Sequence, residues 1–86
     1  MPYINAERRK GLTNLVNAMH FADIDTAGDL NYLITQLVHV FLSLRPQSYQ
    51  NYNDALGALE GAKLELYRQH IAGYEDLKIG QNGNVP

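Results

Sequence analysis

The chain has 86 residues, with seven Lys+Arg, nine Asp+Glu, three His, no Cys and a formal net charge of -2. That length makes one domain with a thin core, which oligomerisation commonly completes. The missing Cys excludes a disulfide framework, a thiolate zinc site and a cysteine nucleophile, and the mild acidity speaks against general binding to nucleic acid or anionic membranes.

The first helix is expected to begin at Asn5, whose side-chain oxygen suits the free amides of a first turn. Leu12, Leu15, Val16 and Met19 follow at helical spacing. Gly11 weakens this helix without forbidding it, and the segment is expected to end near Phe21. Glu7, Arg8, Arg9 and Lys10 form a charged run best read as a solvated face. The opening has neither the basic start nor the apolar run of a signal peptide.

Ala22 to Gly28 reads as a loop. Thr26 followed by Asp29 resembles a capping box, which predicts a second helix from about Ala27. From Leu30 to Leu44 its apolar residues wrap most of the circumference. Such a helix is either central to a core or shared with another subunit, and in so small a chain the shared arrangement is favoured. Pro46 stops it.

A third helix is expected from Ser48–Tyr52, with Ala55, Leu59, Ala62 and Leu66 on one face, continuing to about Ile79. At ~1.5 Å per residue it outreaches a compact domain of this size, unless it kinks at Gly73 or packs on a second subunit. Residues 80–86, rich in Gly and Asn, read as a mobile tail on a single helical domain spanning 1–79. The fold class is therefore all-α: two shorter helices and one long C-terminal helix, the bundle completed by homo-oligomerisation. No apolar stretch reaches membrane-spanning length.

The third helix also carries the most chemistry. Gly57, Ala58, Gly61 and Ala62 allow close approach of another backbone. On the other side lie Asn53, Leu56, Glu60, Lys63, Tyr67, His70 and Tyr74, three or four residues apart. Tyrosine rings stack on planar bases, Lys63 and Arg68 suit phosphate, and Glu60 accepts from amino or hydroxyl groups. The plainer alternative is a solvated face with Glu60–Lys63 and Glu65–Arg68 pairs. The Asp23-x-Asp25-x-x-Gly28-Asp29 run lacks the closing glutamate of a calcium loop. His20, His39 and His70 have no metal-site spacing, and no nucleophile elbow or phosphate loop is present, so no metal, cofactor or enzymatic role is expected.

Gly28-Asp29-Leu30-Asn31-Tyr32, Leu59-Glu60-x-Ala62-Lys63-x-Glu65-x-Tyr67-Arg68, Tyr74-Glu75-Asp76-x-Lys78 and Asn82-Gly83, with the Met-Pro-Tyr-Ile opening, resemble a family of small uncharacterised bacteriophage proteins. Asn84 departs from the acidic residue of that pattern. The resemblance implies a viral origin, a helical fold and residence in the cytoplasm of an infected bacterium. By analogy of type it points to a non-enzymatic protein that sequesters a nucleotide-type immune signal. The ligand-binding candidates are Asn31, Tyr32, Glu60, Lys63, Tyr67, Arg68 and Tyr74. The alternatives are a phage structural or accessory interaction module and, more weakly, a small hydrolase using Glu60 and His70.

Overall fold

A computed structural model describes residues 4–84; the Met1–Tyr3 opening and Val85–Pro86 lie outside the described residues. The described residues form helices and no strand, as the periodicity predicts: α1 (Ala6–Lys10), α2 (Thr13–His20), α3 (Ala27–Ser43), α4 (Tyr49–Leu66) and α5 (Ala72–Asn82), with a π-helical turn at Tyr67–Ile71 joining the last two. The chain divides into two units, Met1–Leu44 and Arg45–Pro86.

In the first unit, Asn5 caps α1 by accepting from the Arg8 amide at 2.9 Å. The expected single helix from Asn5 to Phe21 is instead two. The break falls at Gly11–Leu12, where the Leu12 amide donates to the Arg9 carbonyl at 3.0 Å in a tight turn. The Thr13 hydroxyl adds a bond to that same carbonyl at 3.2 Å. Gly11 keeps right-handed backbone there, so its part in the break is its low helix propensity.

The capping box ahead of α3 is complete. Thr26 Oγ1 accepts from the Asp29 amide at 3.1 Å, and Asp29 Oδ2 accepts from the Thr26 amide at 3.0 Å. The same Oδ2 takes a further bond from the Asp25 amide at 3.0 Å. These backbone donors, Thr26 first, hold the Asp29 carboxyl below the ordinary range. Along α3 the large apolar residues are exposed or half-buried, and none is buried. Leu15 and Met19 of α2, with Leu33, Leu37 and Val40 of α3, line a shallow apolar hollow of about 150 Å³.

The second unit is one helix of 34 residues from Tyr49 to Asn82, with the turn that precedes it. At ~1.5 Å per residue its length is about 50 Å. Ser48 caps it by accepting from the Asn51 amide at 3.2 Å, and Asn51 Nδ2 donates back to the Pro46 carbonyl at 2.6 Å. The proline that ends α3 thus also receives the start of α4. The helix continues three residues past the expected Ile79, so Gly80–Asn82 are helical, and it ends where Gly83 takes φ +83°. Glycine takes a positive φ at no steric cost, which suits it to end a helix. A kink at Gly73 was one of two alternatives for so long a helix, beside packing on a second subunit; the irregularity lies earlier, where the Ala72 amide donates to the Tyr67 carbonyl, one residue beyond the α-helical partner.

Candidate functional site

A π-turn inserts one residue into the helical count without adding its rotation, so the faces on either side of it go out of step with simple α-helical spacing. Glu60 and Lys63 of α4 share a side of the helix with Tyr67, the first residue of the turn. In an unbroken helix that side passes through His70 and Tyr74. With the extra residue it passes instead through Ile71, Glu75, Lys78 and Asn82. Tyr67 Oη accordingly stands 3.4 Å from Glu75 Oε2, eight residues on. Glu75, Lys78 and Asn82 were outside the sequence-based candidates.

The ion pairs read from spacing are present. Lys63 Nζ is 3.7 Å from Glu60 Oε1. The Arg68 guanidinium is bidentate on Glu65, with Nε to Oε1 and Nη2 to Oε2 both at 3.1 Å, and Gln69 Nε2 donates to Glu65 Oε2 at 2.7 Å. Arg68 is thus engaged by a carboxylate of its own helix while its side chain stays 67% exposed. Tyr74 stands with Lys78, whose Nζ lies 5.5 Å from the ring centroid. These two, with Glu75, Ile79, Asn82 and the Gly83–Asn84 backbone turn, line an open hollow of about 300 Å³.

Asn31 and Tyr32 lie on α3, in the other unit. The Asn31 carbonyl accepts from the Thr35 hydroxyl at 2.9 Å, and the Tyr32 ring is exposed. Within its own unit the structure therefore groups Glu60, Lys63 and Tyr67 on one face, sets Tyr74 with Lys78 in the terminal hollow, and ties Arg68 to Glu65. No group of three or more His, Cys, Asp or Glu residues among the described residues is arranged to hold a metal ion. Nor is any helix among them long and apolar enough to cross a membrane.

A family model described as "Domain of unknown function (DUF6899)" matches residues 1–85. The chain belongs to this family. No curated protein and no solved structure matches it.

Proposed function

We propose that this member of the family is a non-enzymatic interaction protein whose helices offer an apolar surface to another protein chain. One observation carries the proposal. Among the described residues the only buried hydrophobic side chain is Ala55, while large apolar residues are exposed along α2, α3 and the long helix. Ordering a residue's backbone costs about 1–2 kcal/mol, and burial of large apolar side chains is the main term that offsets this. A chain whose described large apolar residues are at best half-buried acquires that term from a partner.

Calorimetric unfolding tests the proposal. The isolated chain, held monomeric by dilution, should show no cooperative transition. A sharp, concentration-independent transition from a 9.7 kDa monomer would overturn it.

A second reading, sequestration of a nucleotide-type immune signal by a phage protein, draws on the hollow beside Tyr74. There an exposed ring, the Lys78 ammonium and the Asn82 amide lie together. A ring and a cation so placed suit a planar base and its phosphate. Titration calorimetry against ADP-ribose and cyclic dinucleotides tests it, with heat expected from the intact chain and lost on Lys78→Ala. No heat from any of these ligands removes this reading and leaves the first standing. Viral origin and residence in an infected bacterium are supported by the sequence resemblance and belong to this second reading.

A further inference from the structure

The long helix carries its own complement. Gln69 is the middle residue of the π-turn. Glu60 and Lys78 stand nine residues to either side of it, and Lys63 and Glu75 stand six to either side. Leu59 pairs in the same way with Ile79, and Tyr67 with Ile71. At about 100° per residue, with one residue absorbed by the turn, all of these fall on one side of the helix. Along that side the charges run negative, positive, negative, positive. Read in reverse the order is positive, negative, positive, negative, so a reversed copy presents the opposite charge at every position.

This side is exposed: Leu59, Tyr67, Ile71 and Ile79 are all open to solvent. The unit that holds it consists of the one helix and its preceding turn, so no second layer within the unit covers it.

We infer that a second copy of this chain covers the stripe. The two long helices run antiparallel about a twofold axis at the π-turn. Glu60 meets the partner's Lys78, Lys63 meets the partner's Glu75, and the apolar residues lie between the charges. A twofold axis makes each of these contacts twice. The inference rests on the interaction reading above and names its partner.

Sedimentation equilibrium on the full chain tests it, with a mass near twice 9.7 kDa expected. Glu60→Lys and Lys78→Glu, made singly, set like charges together on both sides of the axis and should each weaken the dimer about tenfold. The double variant restores opposite charges and should recover the wild-type mass and dissociation constant. Gly73→Lys, on the far side of the helix with open space at its Cβ position, should change neither. A dimer that withstands both single swaps places the interface elsewhere and overturns the inference. So does a dimer weakened by each swap but not restored by the pair. A monomer without a cooperative transition overturns the inference alone, since the apolar surface then serves a different chain. A cooperatively folded monomer overturns the interaction reading with it.

Discussion

Tyr67 and Glu75 are separated by eight residues, yet their side chains approach to 3.4 Å on one side of the long helix. In an α-helix residues that far apart point about 80° away from one another, so the contact records the extra residue of the π-turn. At that length the phenol–carboxylate bond is weak. Tyr67→Phe should therefore leave the melting temperature within a few degrees of wild type and keep the helical circular dichroism. A loss above ~1 kcal/mol would mean that the hydroxyl holds the turn. If Tyr67 stacks on a nucleotide base, Phe should also keep most of the affinity while Ala loses roughly 1–3 kcal/mol.

Asp29 gives the fold an acid-sensitive joint. Its carboxyl is held below the usual range by the Thr26 and Asp25 amides. A lowered folded-state value means that the unfolded chain binds the proton more readily. The stabilisation is then present above about pH 4, the ordinary carboxylate value, and is lost as pH falls through the lower folded value. Wild type should lose stability across that acid window faster than Asp29→Asn, which carries no titrating group there. Parallel pH profiles of the two proteins by thermal melting would remove this assignment.

Lys63→Ala and Arg68→Ala should differ. The Lys63 side chain is 75% exposed and pairs at 3.7 Å, so its removal should cost at most about 0.5 kcal/mol. Arg68 forms a two-bond fork on Glu65, whose side chain is only 22% exposed. Cutting the fork leaves Gln69 Nε2 donating to that carboxylate and should cost about 1 kcal/mol. Thermal melts at low and high salt would show the ordering, and equal losses would contradict it.

Gly57 and Gly73 sit in helical backbone with nothing within 4 Å of where a Cβ would stand. Ala at either position should stabilise the helix by about 0.5–1 kcal/mol and leave the assembly unchanged. A destabilised Gly57→Ala would reveal a second helix against that side, as the small-residue strip suggested on sequence alone.

The helix starts were legible in the sequence because each is signed by a side chain whose partner is local: Asn5 on Arg8, Thr26 on Asp29, Ser48 on Asn51. The Glu60–Lys63 and Glu65–Arg68 pairs were legible for the same reason. The break at Gly11 and the turn at Tyr67–Ile71 were not. Both exchange one backbone bond for another of similar strength, so side-chain identity leaves only a weak mark. The candidate face was consequently traced through Tyr74 in place of Glu75. The grouping of Asn31 and Tyr32 with residues of the long helix had no local basis at all, because those two belong to a different unit.

The π-turn also bears on how a chain of this kind can change its length. A residue deleted from the middle of α4, Ala58 for example, rotates everything beyond it by about 100° and parts each side chain from its neighbours on the same side. Deletion of His70 has the opposite effect: the five-residue turn closes into an ordinary α-turn, and Tyr67 and Glu75 become seven residues apart and remain aligned. The helix thus holds one position at which a codon can be lost without disturbing any surface it presents. Relatives one residue shorter in this stretch would superpose on both halves of the helix.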